Sequence, residues 1–139
     1  MKNKAFKIGV TDIILLVVSL LFLLGIFFVF GPCGSKDDGS WMTCHWAGNA
    51  VKGLAAVLTV IAVIHFVVPD SKTKAGLSMA VIPVALLALL VLDRLIHMCM
   101  MDSMRCHAVM APSVIVFSLL VIAAAGADIF LQIKSNKAN

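Results

Sequence analysis

The sequence predicts an all-α fold: a four-helix transmembrane bundle built from two duplicated helical hairpins, with both termini on the cytoplasmic side. Three observations predict it. The chain of 139 residues is 62% hydrophobic and 13% charged, with no tyrosine and no glutamate, whereas a soluble domain carries about 25% charged residues to dress its surface. Four stretches are apolar for long enough to cross a bilayer, since about 20 residues at 1.5 Å rise span a 30 Å hydrocarbon core. A short motif, Met-x-Cys-His, occurs at the start of both the second and the fourth stretch. Together the four use most of the chain, which leaves a single integral membrane domain, 1–139, and no room for a water-soluble one.

The first helix is expected over about 8–30, nearly pure Leu, Ile, Val and Phe, and Gly31-Pro32-Cys33-Gly34 stops it because proline and glycine continue a helix only at a cost. Its basic start (Lys2, Lys4, Lys7) is that of a signal peptide. The apolar run, however, far exceeds the 7–15 residues of a cleaved signal and lacks a small-x-small site, so it is read as a retained helix. The second helix is expected over about 47–68, ended by Pro69-Asp70-Ser71, and the third over about 75–98, with a kink at Pro83. The fourth is expected over about 108–133, with Pro112 in its first turn, where a missing N–H costs little. The outer loops are then about 31–46 and 99–107.

Lysine and arginine near span ends set the orientation. Lys2, Lys4, Lys7, Lys72, Lys74, Lys134 and Lys137 fall on one side; Lys36, Lys52 and Arg105, with Arg94 near that end of its helix, fall on the other. Both termini and the middle loop are therefore expected in the cytoplasm. The net charge of +4 is a topology signal and a weak attraction to anionic lipid. The bilayer is the expected partner, and nothing points to nucleic acid.

The outer loops hold all four cysteines. The first runs from Cys33 through a polar turn to Trp41-Met42-Thr43-Cys44-His45-Trp46; the second runs from Cys99-Met100 to Met104-Arg105-Cys106-His107. Each is a helix end, a cysteine, a short turn and then Met-x-Cys-His opening the next helix. We read this as a parallel internal duplication of a helical hairpin. In these marks, together with Met110 and Pro112, the chain resembles a family of small four-helix prokaryotic membrane proteins catalogued as a domain of unknown function. The resemblance covers essentially the whole chain. It implies this topology, a bacterial or archaeal plasma membrane and, since such proteins are sometimes encoded beside ABC exporters, an accessory role; it supplies no reaction or substrate.

Three readings of the cysteines stay open. In the first, Cys33–Cys44 and Cys99–Cys106 are disulfides stapling each outer hairpin, as an oxidising exterior permits, each contributing on the order of 2.5–3 kcal/mol by loop closure. In the second, two extracytoplasmic cysteine pairs make a thiol–disulfide redox protein like the membrane thiol oxidases that pass electrons to quinone, although neither loop has Cys-x-x-Cys. In the third, Cys44-His45 and Cys106-His107 meet as a four-ligand copper or zinc site. Covalent haem is disfavoured, because Cys-x-x-Cys-His is absent.

Charges within the membrane need partners, since each costs roughly 2.5–3.5 kcal/mol at mid-depth. Asp93 and His97 are expected to share a face at i and i+4, with Arg94 snorkelling to the outer interface. Asp12, His65 and Asp128 fall near the cytoplasmic ends of their helices, and a His65–carboxylate pair inside the bundle is expected to fix helix orientation. Gly48, Ala50, Gly53 and Ala55 on the second helix, and Ala123–Gly126 on the fourth, are expected to allow close packing. Trp41 and Trp46 anchor at the headgroup level or, with Met42, Met104 and Arg105, offer a partner surface. The leading function is a non-enzymatic accessory or recognition subunit, possible partners including an ABC-type exporter.

Overall fold

A computed structural model describes residues 9–31, 34–35, 37–97, 103 and 105–138, Asp93 by its backbone alone. Cys33, Cys99 and Met104, and with them both expected disulfide pairings, lie outside the described residues.

Among the described residues four helices form: α1 (Val10–Leu24), α2 (Thr43–Val67), α3 (Ser71–Leu90) and α4 (Ala111–Lys137). Three π-helical turns extend them, Gly25–Val29 after α1, Val91–Leu95 after α3 and Cys106–Met110 before α4. Each of the four continuous runs is long and apolar enough to cross a membrane, so the chain is a multi-pass membrane protein. Each helix packs on the next, and α4 closes back onto α1, which makes an up-down-up-down bundle.

Buried positions on each helix recur at heptad spacing. On α2 they are Cys44, Val51, Leu58 and His65, interleaved with Gly48, Ala55 and Ala62. On α3 they are Lys74, Val81 and Ala88, interleaved with Ser78 and Ala85. A 3.5-residue repeat keeps one seam facing the neighbours along the whole helix. The seam mixes small and polar residues with a few large apolar ones, Leu15, Phe22, Ile26 and Leu58, while Leu20, Val60, Leu86 and Leu119 face outwards. Lipid tails are as apolar as leucine, so large side chains gain little by turning inward, and association rests on close backbone approach and hydrogen bonds.

Several boundaries depart from expectation. α2 begins at Thr43, four residues before the expected start, so Cys44, His45 and Trp46 occupy its first turn and not a loop. α3 begins at Ser71 because Asp70 caps it, accepting from the Thr73 amide at 3.3 Å and the Thr73 hydroxyl at 3.0 Å. It continues through Pro83, which faces outwards. The expected close-packing face on α2 is shifted: Gly48 and Ala55 are buried, but Gly53 is exposed and Ala47 and Ala62 take up the seam. On α4 only Ala125 of the expected run is buried.

Two of the π-helical turns, Gly25–Val29 and Cys106–Met110, sit where glycine or proline makes an α-turn costly. Phe30 donates its amide to the Gly25 carbonyl at 2.7 Å, and a Cβ on Gly25 would lie 2.6 Å from the Phe30 ring, so the wider turn depends on glycine there. Pro112 has no N–H for the carbonyl four residues before it and its ring crowds that carbonyl. The turn it would strain is the one that widens to π over Cys106–Met110. The Val91–Leu95 turn ends the third run at Ile96, which is extended. His97 therefore lies beyond the helix, exposed, and the expected α-helical i, i+4 relation to Asp93 is not kept.

Candidate functional site

The end of the bundle that carries the α2–α3 turn holds a buried polar cluster to which all four helices contribute. Asp12 is the third residue of α1, and its Oδ2 accepts from the Gly9 amide at 3.0 Å, as an acidic residue in a first turn does. His65 lies in the last turn of α2, Lys74 and Ser78 near the start of α3, and Asp128 in the C-terminal half of α4. Relative exposures are 3% for Asp12, 0% for His65 and Ser78, 7% for Lys74 and 2% for Asp128.

Asp128 is the hub. Its Oδ1 accepts from Thr11 Oγ1 at 2.9 Å. Its Oδ2 accepts from Ser78 Oγ at 2.5 Å and Gln132 Nε2 at 2.6 Å, and lies 2.9 Å from His65 Nε2. A carboxylate only accepts, and Ser78 spends its single proton on Asp128, so the hydrogen-bond pattern places the imidazole proton on Nε2. Ser78 Oγ, 3.0 Å from Nε2, then takes a share of that proton. Asp12 Oδ2, which accepts from the Gly9 amide, also accepts from the Lys74 ammonium. Asp12 Oδ1 faces His65 Nδ1 across 3.6 Å, and Nδ1 is buried with no hydrogen-bond partner.

Buried charges require partners because desolvation costs several kcal/mol per ion, and here each carboxylate has them. The arrangement ties α1 to α3 through Asp12–Lys74, α1 to α4 through Thr11–Asp128, and α2 to both α3 and α4 through His65. The donor atoms of Asp12, His65 and Asp128 all lie within 4.8 Å of one another.

The sequence singled out Asp12, His65 and Asp128 and the structure brings them together. Lys74, read as a loop charge, is instead buried against Asp12; Ser78, Thr11 and Gln132 were not singled out. The available signal was spacing, since Lys74, Ser78, Val81, Ala85 and Ala88 share one heptad stripe.

At the opposite end, Cys44 and Cys106 are each 0% exposed. His45 is half-buried, its ring stacked on Trp41 at 4.0 Å and its Nε2 3.1 Å from Asn49 Nδ2. His107 and Met42 are half-buried, and Trp41, Trp46, Arg94 and Arg105 are exposed. Lys52 places its ammonium 5.4 Å from the Phe27 ring centre, which shelters a charge on a helix face within the apolar layer.

Residues 15–131 match the model of a domain of unknown function, DUF4418. No curated protein and no solved structure matches the chain.

Proposed function

The chain belongs to the DUF4418 family, and we propose that it is a non-enzymatic accessory or recognition subunit that offers the cysteine end of its bundle to a membrane partner of the ABC-exporter kind. The observation that carries this reading is the exposure of Trp41 and Trp46, 52% and 61%, on either side of a Cys44 that is wholly buried. Trp46 sits in the first turn of α2 and Trp41 just before it, and large aromatic side chains so placed are typical interface anchors. Met42 and Arg105 lie at the same end, and the reading assigns them, with Met104 outside the described residues, to the same surface. The ionisable cluster at the other end is walled in by four helices, which favours a structural over a catalytic use of those residues.

In this reading the protein lies in a bacterial or archaeal plasma membrane with both termini in the cytoplasm, and the partner surface faces out. Cys33–Cys44 and Cys99–Cys106 staple the two outer turns. Burial of Cys44 and Cys106 weighs against exchange-active thiols, which need access to an attacking partner. Duplication of a hairpin is supported by register: Gly25 and Val91, which open two of the π-helical turns, are 66 positions apart, as are Cys33 and Cys99.

The test is a photo-reactive amino acid placed at Trp46 or, as a lipid-facing control, at Phe130, followed by irradiation of native membranes and mass spectrometry. A discrete adduct with an exporter subunit from position 46, absent from position 130, is expected. Lipid adducts alone at both positions would overturn the proposal. Mass spectrometry of the non-reduced chain reads the two disulfides directly.

A further inference from the structure

The buried cluster at the α2–α3 end contains a pair of groups that ion-pairing alone leaves unexplained. In the neutral imidazole with its proton on Nε2, shared with Asp128 and Ser78, the lone pair of Nδ1 points towards Asp12 Oδ1, itself an acceptor, 3.6 Å away. Both atoms are electron-pair donors, both are buried, and Nδ1 has no hydrogen-bond partner. Two bonds of about 2.1 Å that meet at one ion span about 3 to 4.2 Å, and 3.6 Å falls inside that range. A second carboxylate, Asp128, lies within the same 4.8 Å sphere of donor atoms.

Charge points the same way. With a neutral imidazole, Asp12 and Asp128 bring two negative charges and Lys74 one positive, which leaves one negative charge uncompensated in a low-dielectric interior. A divalent ion that takes the place of the Lys74 ammonium brings the sum to zero. Lys74 can make that exchange, because it is the fourth residue of α3, one turn from water, on a flexible four-carbon stem.

We propose that Asp12, His65 and Asp128 form a site for a first-row divalent transition-metal ion, with Lys74 as the intramolecular cation that holds Asp12 when no metal is bound. Two carboxylates and one imidazole are the donor set that suits Mn2+, Fe2+ or Zn2+ over Cu+. The site is distinct from the cysteines, and it does not depend on the partner surface proposed above.

The full chain in lipid nanodiscs is titrated with Co2+ and followed by its visible d–d absorption, with Zn2+ as competitor. The wild type is expected to give one saturable band that Zn2+ removes. Lys74→Gln removes the competing ammonium and is expected to bind at least about tenfold more tightly, as loss of a like charge at this range in a protein interior implies. His65→Gln and Asp128→Asn should lose the band, and Cys44→Ser/Cys106→Ser should keep it. Should either of the former fail to fold, X-ray absorption on the Zn2+-loaded wild type decides: a nitrogen/oxygen shell at about 2.0–2.1 Å with one imidazole is expected, and sulfur at about 2.3 Å would overturn the assignment. The proposal also fails if neither wild type nor Lys74→Gln binds Co2+ at millimolar concentration, if the band survives His65→Gln and Asp128→Asn, or if Lys74→Gln weakens binding.

Discussion

Replacing Asp128 by alanine tests whether the polar cluster holds the bundle together. The carboxylate is 2% exposed and serves four donors, from Thr11 on α1, His65 on α2, Ser78 on α3 and Gln132 one turn along α4. A neutral side-chain hydrogen bond within a membrane protein averages about 0.6 kcal/mol, and bonds to a charged acceptor are roughly twice as strong. Alanine also leaves a void and strands the His65 Nε2 proton beside Ser78. The expected loss is about 3–5 kcal/mol, the range found when one partner of a buried pair is removed. Asp128→Asn should cost less, about 1–2 kcal/mol, because the amide oxygen can keep the Oδ2 contacts while its NH2 turns to Thr11 Oγ1. The assay is equilibrium unfolding by SDS in mixed micelles containing a chelator, followed by circular dichroism. His65→Ala and the double variant complete a cycle, and a coupling of about 1–2 kcal/mol between the two sites is expected. An Asp128→Ala protein within about 0.5 kcal/mol of wild type, the usual effect of a surface change, would refute the view that this cluster ties the helices.

Three further outcomes follow from packing. Gly25→Ala drives a Cβ to 2.6 Å from the Phe30 ring, which itself packs on Phe117 at 6.0 Å; it should cost about 1–3 kcal/mol in the same unfolding assay. Gly53→Ala and Gly126→Ala meet nothing within 4 Å and should be neutral or gain up to about 1 kcal/mol from helix propensity. After reduction, Cys44 and Cys106, each 0% exposed, should resist a water-soluble maleimide in the folded protein and react fully once SDS unfolds it. Mass spectrometry reads both states, and labelling within seconds in the folded protein would contradict the burial.

The four spans were legible because the bilayer imposes length and apolarity over whole segments. What the sequence hid was rotation about each helix axis. In a soluble bundle the apolar stripe marks the inward face, but here Leu, Ile and Val lie on every side, so apolar periodicity carries little information. The informative residues are the small and polar ones, and they mislead when read by cluster instead of by period. Gly48, Ala50, Gly53 and Ala55 form a cluster, yet the seam runs through Ala47, Gly48, Ala55 and Ala62. Lys74 was hidden for a different reason. Pro69-Asp70-Ser71 reads as a turn, which leaves Lys74 outside the third helix. The Asp70 cap adds a full turn at that end and so brings Lys74 into the buried heptad, seven residues before Val81. The Asp93–His97 relation was lost to the π-helical turn at Val91–Leu95, which no residue there announces as plainly as Gly25 or Pro112 do in theirs.

The third π-helical turn bears directly on the site. Counted from the cysteine of each Met-x-Cys-His, His65 lies 21 residues on and Asp128 lies 22. In uninterrupted α-helices that mismatch of one residue would rotate Asp128 about 100° away from the seam that His65 occupies. The turn at Cys106–Met110 takes up one additional residue, as a π-bulge does. From Val114 onward α4 presents Val121, Ala125 and Asp128 inward, in step with Leu58, Ala62 and His65 on α2. The widening that accommodates Pro112 at one end of the bundle is thus also what sets His65 and Asp128 within hydrogen-bonding distance at the other.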